Sequence, residues 1–117
     1  MSKRDWRLFI EDMLESIDLI EKYIAELNLN GFKDDRKSID AVVRNFEIIG
    51  EASKFIPETI KGKYLEVDWP AIRGLRNRIA HEYFGISLSI IWTIIKDELP
   101  RLRNQLKTIL LQEKNNS

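Results

Sequence analysis

Hydrophobic residues recur along most of the chain at steps of three and four, the spacing of one face of an α-helix. The first run predicts a long helix whose apolar face consists of Trp6, Ile10, Met13, Ile17, Ile20, Ile24 and Leu27. Ser2 followed three residues later by Asp5 resembles a capping box at the start of this helix. Residues 28–31, Asn-Leu-Asn-Gly, are typical of a helix stop.

Two further helices follow in the pattern. One is predicted to begin after Asp34 or Asp35 and to end before Pro57. Its apolar face consists of Ile39, Val42, Val43, Phe46, Ile49 and Ala52. Residues 57–67 read as an irregular connection with room for one helical turn. The next helix is predicted over 69–83, because the proline of Asp68-Trp69-Pro70 suits a first helical turn, and Gly85 suits the position just after its end.

A last helix is predicted from a cap at Ser87 to about Leu111, and Pro100 should kink or split it. Residues 88–95, Leu-Ser-Ile-Ile-Trp-Thr-Ile-Ile, are apolar almost all round, whereas a surface helix needs only one apolar stripe. A central helix buried in the monomer and a homodimer interface explain this excess equally well, and we favour the homodimer. Because no strand-like alternation occurs, we predict an all-α fold. Residues 1–117 would form a single domain, a four- to five-helix up-down bundle.

Composition narrows the class of protein. The chain is 44% hydrophobic and 32% charged, as expected of a globular protein, and its formal net charge is zero. Any nucleic-acid interaction must therefore depend on a local cluster of cations. There is no cysteine, no signal-peptide pattern and no apolar run long enough to span a bilayer, so we expect a cytoplasmic protein without membrane contact.

The densest polar cluster is 76–83, Arg-Asn-Arg-Ile-Ala-His-Glu-Tyr, which holds the only histidine of the chain. An imidazole can move a proton near neutral pH and an arginine can stabilise developing phosphate charge, so the pair Arg76 and His81 suggests phosphodiester chemistry. At about 100° per residue the helix separates two sets of side chains. The core side would carry Ile72, Leu75 and Ile79, and the opposite arc would carry Arg73, Arg76, Asn77 and His81.

The spacing Arg76, four residues, His81, one residue, Tyr83 gives R-x4-H-x-Y, which resembles the signature of the HEPN superfamily and its HepT-like branch. Asn77 also matches the polar residue common after the arginine. Further likeness lies at Ile48 to Ala52 and from Trp69-Pro70 to Arg76-Asn77. It continues in Ile91-Trp92 and Leu99-Pro100, so that it covers nearly the whole chain.

The resemblance implies a HEPN-like helical bundle that dimerises so that two motifs face one cleft. It implies a metal-independent endoribonuclease toxin acting on RNA, with Arg76 and His81 as catalytic residues and Asn77 in support. The implied partner is a minimal nucleotidyltransferase antitoxin that attaches AMP to Tyr83. Position alone makes Arg73, Arg78, Lys61 and Lys63 candidates for RNA backbone contacts. We predict no cofactor, and no metal site, because the chain lacks a tight set of ligands.

Two other interpretations remain open at this point. The chain could be a non-catalytic HEPN module that binds a nucleotide or a nucleotidyltransferase partner, which zero net charge fits at least as well. The cluster could also be purely structural, since a lone histidine near a helix end is more often a cap or a surface residue. Glu47 and Glu51, four residues apart, could pair with Arg73 or Arg76 or face solvent.

Overall fold

The computed structural model describes residues 4–75, 77–78 and 87–114. These ranges contain helices and no β-strand, which confirms the all-α prediction. The helices are α1 (Trp6–Ile24), α2 (Leu29–Asp34), α3 (Arg36–Ser53), α4 (Glu58–Lys63), α5 (Trp69–Arg73), α6 (Leu88–Thr93) and α7 (Leu99–Glu113). A π-helical segment, Ile94–Glu98, joins α6 to α7. The predicted cap at Gly85 lies outside the described residues.

Helices α1 and α3 make the most extensive helix–helix contact and form the centre of the core. The predicted apolar faces supply side chains with no solvent exposure, among them Ile10, Met13, Ile17, Ile20, Val42, Phe46 and Ile49. The rings of Phe9 and Phe55 stack with their centroids 4.6 Å apart. The start of α1 therefore meets the chain just after the end of α3, and the two helices run antiparallel.

Two predicted helix boundaries are wrong. Asp5 itself caps α1, because its carboxylate accepts the backbone N–H of Arg7 at 2.9 Å, so Asp5 is not the third residue of a capping box begun at Ser2. Residues 28–31 start a helix rather than only stopping one. Asn28 caps α2 by accepting the N–H of Gly31 at 2.8 Å, and Phe32 is fully buried. Because two of the predicted connections contain the short helices α2 and α4, the described helices outnumber the four or five expected.

The predicted disturbance at Pro100 is confirmed and takes the form of a π-helical segment directly before it. Proline has no N–H to donate to the carbonyl four residues earlier, so the regular hydrogen-bond ladder cannot pass through it. Beyond the proline, Arg103 in the first part of α7 forms ion pairs with Asp18, at 2.7 Å, and with Glu21 in the last part of α1. At the other end, Arg7 of α1 donates to the carbonyl of Glu113 at 3.0 Å, so α7 runs antiparallel to α1.

The apolar stretch at 88–95 is largely accounted for by the core of the single chain. Ile91, Ile94 and Ile95 are at most 2% exposed, and Trp92 packs against Phe32 with ring centroids 5.4 Å apart. Only Ile90 is an exposed large hydrophobic residue of this stretch, at 39%. Within the described ranges, no helix combines the length and the apolar character needed to cross a membrane.

Candidate functional site

Three of the six predicted site residues fall in the described part of the chain. Arg73, Asn77 and Arg78 are described and exposed. The other three, Arg76, His81 and Tyr83, lie outside the described residues. The described part of the site consists of the helix that leads into the motif and the elements packed around it.

The helix that leads into the motif, α5 and its continuation to Arg78, is called the motif helix below. A side-chain cap and a buried indole hold its start in place. The carboxylate of Asp68 accepts the backbone N–H of Ala71 at 3.1 Å, and Pro70 occupies the first turn, as the sequence predicts. Trp69 is 6% exposed, and its Nε1–H donates to the carbonyl oxygen of Tyr64 at 3.1 Å. Ile72 and Leu75 are buried against the core, so the opposite side of this helix faces outward.

The predicted helix at 69–83 is interrupted by a turn at Gly74, after which Leu75, Asn77 and Arg78 are again helical, and its predicted end lies outside the described residues. The N–H of Gly74 donates to the carbonyl of Pro70 at 3.0 Å, and the N–H of Arg78 donates to the carbonyl of Gly74 at 3.0 Å. Both bonds join residues four apart, the α-helical spacing. Arg73 and Asn77 consequently lie one turn apart on the same face, as predicted.

A groove of about 550 Å³ runs beside this face, and we call it the Arg73 groove. It lies between the end of α3, α4 and the start of the motif helix, and it is lined by Lys54, Glu58, Lys61, Trp69, Pro70, Arg73, Gly74 and Asn77. Among the described residues that line it, three are cations and one is a carboxylate. The groove therefore carries a local positive excess that the zero net charge of the chain conceals.

The cations of the Arg73 groove have weak partners or none in the described ranges. Lys54 Nζ lies 3.1 Å from Glu51, and Lys61 Nζ lies 3.8 Å from Glu58, whose side chain is 90% exposed. Arg73 forms no ion pair with any described residue. In each of these pairs the carboxylate is exposed. Surface ion pairs stabilise a protein by less than about 1 kcal/mol, so an anion can compete for these cations.

Arg78 lies apart from Arg73 and Asn77. Arg73 and Arg78 are five residues apart, which separates them by roughly 140° around the helix axis. Arg78 instead forms an ion pair with Glu98 of the π-helical segment at 3.4 Å. It lines a separate cavity of about 140 Å³ that also includes Arg101. The structure therefore does not bring the two predicted RNA-contact arginines together.

Lys61 and Lys63 also have different surroundings. Lys61 lines the Arg73 groove, whereas Lys63 Nζ donates to the carboxylate of Glu113 at 2.8 Å. Tyr64 Oη donates to the same carboxylate oxygen at 2.6 Å. Hydrogen bonds from Lys63 and then Tyr64 lower the pKa of the Glu113 carboxyl, while burial and the Glu113 bond raise the pKa of Tyr64 to about 12. This contact ties α7 to α4, so Lys63 has a structural role.

The paired carboxylates on α3 have local partners. Glu47 lies 3.8 Å from Arg44 and Glu51 lies 3.1 Å from Lys54. Among the described residues neither carboxylate pairs with Arg73, and the alternative partner Arg76 lies outside them. No group of three metal-ligating side chains occurs within residues 4–75, 77–78 and 87–114.

Lys54 is the residue that sequence reasoning missed. It follows the last residue of α3, next to an acidic residue three positions earlier, a pattern typical of any solvent-exposed helix end. Only the packing of α5 against α3 places it in the same groove as Arg73. Taken together, this face offers cations and an exposed amide beside the motif, an arrangement suited to holding phosphate groups.

The chain is similar to a known family over most of its length. The family model described as "Ribonuclease HepT-like" matches residues 13–109. A Methanocaldococcus jannaschii protein named "Putative RNase MJ1380" is 36% identical over 93% of this chain and 100% of its own length. The "Probable ribonuclease HepT" of Thermococcus cleftensis is 36% identical over 92% of this chain and 97% of its own.

A third relative, "Putative RNase TTE0752" from Caldanaerobacter subterraneus subsp. tengcongensis, is 37% identical over 92% of this chain and 96% of its own length. No solved structure gives a significant match.

Proposed function

This chain belongs to the HepT-like ribonuclease family, and on that premise we propose that it is a metal-independent endoribonuclease in which Arg76 and His81 are the catalytic residues. The observation that carries the proposal is the R-x4-H-x-Y sequence, which lies within the range matched by the family model. The relative named "Putative RNase MJ1380" also matches this chain over its own full length. The exposed Arg73 and Asn77 on the helix that leads into this motif support it further.

The proposed reaction uses the RNA's own 2′-hydroxyl as nucleophile. The 2′-oxygen forms a bond to phosphorus while the bond from phosphorus to the 5′-oxygen breaks, leaving a 2′,3′-cyclic phosphate. His81 accepts the proton of the 2′-hydroxyl, and His81 of a second copy protonates the departing 5′-oxygen. Arg76 stabilises the charge on the phosphorane, and Asn77 orients His81 or a phosphate oxygen.

This division of acid and base roles requires two histidines, and each chain has one. We therefore propose a homodimer of single-domain HEPN-like bundles with the two motifs across one cleft. The exposed Ile90 is a candidate for the contact surface. The proposal includes the role of a toxin whose antitoxin, a minimal nucleotidyltransferase, blocks the cleft by attaching AMP to Tyr83. An added phosphate and nucleoside there would act by bulk and charge.

The test is cleavage of a 5′-labelled single-stranded RNA by the full chain in excess EDTA. We expect products with 2′,3′-cyclic phosphate ends. His81→Ala should lower the rate by about 10²–10⁴ and Arg76→Ala by about 10²–10³. Arg101→Ala, which removes an exposed arginine of the separate cavity, is the matched control and should leave the rate within about twofold of the parent rate. If the His81 and Arg76 variants cut as fast as the parent, the site is assigned wrongly.

Zero net charge favours a second candidate, a non-catalytic module that binds a nucleotide or a nucleotidyltransferase. Intact mass distinguishes the two when the chain is produced with and without a nucleotidyltransferase encoded beside it. AMP-sized increments that vanish in Tyr83→Phe, together with cleavage only by the unmodified chain, support the toxin. Stable association with the nucleotidyltransferase and no His81-dependent cleavage support the binding module.

A further inference from the structure

Three side chains from three different elements bring positive charge to the Arg73 groove. Lys54 follows the end of α3, Lys61 belongs to α4, and Arg73 ends α5. Glu58 is the single carboxylate among the described lining residues. The groove is therefore electrostatically suited to a chain of phosphates and unsuited to a cationic ligand.

Lys61 is held in place before any ligand arrives. Its side chain is only 14% exposed, so most of it is packed against the protein, and it forms part of the lining of the groove. A cation fixed in this way loses little conformational freedom when it binds an anion. Lys54 is 43% exposed and is paired only with the exposed Glu51 at the surface, a contact that an anion can replace at little cost.

The described lining of the groove is suited to the sugar–phosphate backbone rather than to bases. Single-stranded nucleic acids are commonly held by stacking bases on exposed aromatic rings. The one aromatic residue of this lining is Trp69, which is 6% exposed and whose indole N–H is already bonded to Tyr64. Recognition here would therefore be by phosphate contacts and independent of base sequence.

The position of the groove relates it to the proposed catalytic residues. Asn77 lines it and is adjacent in sequence to Arg76. Arg73 lies one helical turn before Asn77 on the same face, leading away from the motif. A strand with its scissile phosphate at the motif would have neighbouring phosphates along this line.

We propose that Lys54, Lys61 and Arg73 bind the RNA phosphates that flank the scissile bond, forming a sequence-independent extension of the active site. This inference rests on the proposed ribonuclease function. It predicts that RNA longer than a dinucleotide is bound more tightly, and that the gain is salt-dependent because each phosphate contact releases counterions.

The test uses the full chain and a fluorescent 20-nucleotide RNA that is uniformly 2′-O-methylated, which keeps every phosphate and removes the nucleophile. Binding is measured at several salt concentrations. We expect Lys54→Gln/Lys61→Gln to weaken binding roughly five- to tenfold and to reduce the slope of log affinity against log salt by about 1.4. The control Lys107→Gln/Lys114→Gln removes two exposed charges, one in the middle of α7 and one just after its last residue, and should leave both quantities near the parent values. Circular dichroism checks that all variants remain folded.

Cleavage of unmodified RNA separates this inference from the function on which it rests. The groove variant, Lys54→Gln/Lys61→Gln, should lose more activity on a 20-nucleotide RNA than on a dinucleotide. The control variant, Lys107→Gln/Lys114→Gln, should cleave both RNAs at the parent rates. Equal salt slopes for the groove variant and the control would overturn the phosphate-binding role, even if the parent cleaves RNA. Absence of His81-dependent cleavage with a reduced salt slope would leave the groove as an RNA site and overturn the ribonuclease. A groove variant that binds RNA as the parent does and loses affinity only for the nucleotidyltransferase would also overturn the inference.

Discussion

Trp69 provides a direct test of how the start of the motif helix is held. Its Nε1–H donates to the Tyr64 carbonyl at 3.1 Å, and both residues are at most 6% exposed. Trp69→Phe keeps an aromatic ring in the core and removes the donor. The Tyr64 carbonyl is not left without a partner, since the backbone N–H of Val67 also donates to it at 3.2 Å. The cost should therefore lie below that of an orphaned buried carbonyl.

The expected magnitude has two parts. Loss of one neutral hydrogen bond costs about 1 kcal/mol of unfolding free energy. Replacement of a buried indole by a smaller ring adds about 1 kcal/mol through lost contacts and incomplete collapse around the site. The sum is about 2 kcal/mol. If the unfolding free energy falls by about 2 kcal/mol per M urea, the midpoint of urea unfolding should drop by roughly 1 M.

The matched control is Trp6→Phe. Trp6 is half-buried against the core, its ring lies 5.0 Å from the Arg7 guanidinium, and its indole N–H makes no hydrogen bond with any described residue. The same chemical change there should cost less than about 1 kcal/mol.

Both variants are unfolded in urea at one protein concentration and followed by circular dichroism at 222 nm. Equal midpoints for the two variants, at unchanged slope, would refute the argument that the Trp69–Tyr64 bond stabilises this part of the fold.

Three further predictions concern other contacts. Asp68→Ala should cost about 1 kcal/mol by removing the cap on Ala71, measured by urea unfolding, and Asp68→Asn should restore most of it. Ile17→Ala, at a fully buried position of α1, should cost about 2–5 kcal/mol in the same assay. Hydrogen bonds from Lys63 and Tyr64 lower the pKa of the Glu113 carboxyl in the folded protein. The ionised carboxylate therefore stabilises the fold at pH values above its ordinary pKa of 4.5, and this contribution is lost as the pH falls through the folded pKa. Glu113→Gln should therefore flatten the acid side of a Tm-against-pH profile, and an unchanged acid slope would contradict the assignment.

The sequence predicted the family and the principal helices. The resemblance based on R-x4-H-x-Y is confirmed by the family match over residues 13–109. The apolar faces of α1 and α3, the start of the motif helix at Asp68 and the disturbance at Pro100 are also confirmed. These features depend on contacts between residues at most four apart or on the chemistry of a single residue, and such information is local. The catalytic roles of Arg76 and His81 stay a prediction.

Helix boundaries show where local information becomes ambiguous. Asn28 is as well suited to starting a helix as to following one, since its side chain caps a free N–H in either a turn or a helix. Burial of Phe32 in the core favours the short helix α2. The apolar stretch at 88–95 was ambiguous for a related reason, because periodicity does not show which neighbour covers each face. Packing within the chain covers Ile91, Ile94 and Ile95.

What the sequence determined by itself is therefore the all-α class, the family, and the order of side chains along each helix face. The tertiary structure decided which charges share a surface. It brought Lys54 and Lys61 beside Arg73, turned Arg78 toward Glu98, and joined Lys63 to Glu113, fifty positions away. The physical reason is that the packing of apolar faces determines which charged side chains of different elements come close together. The sequence of one charged segment contains no information about that packing.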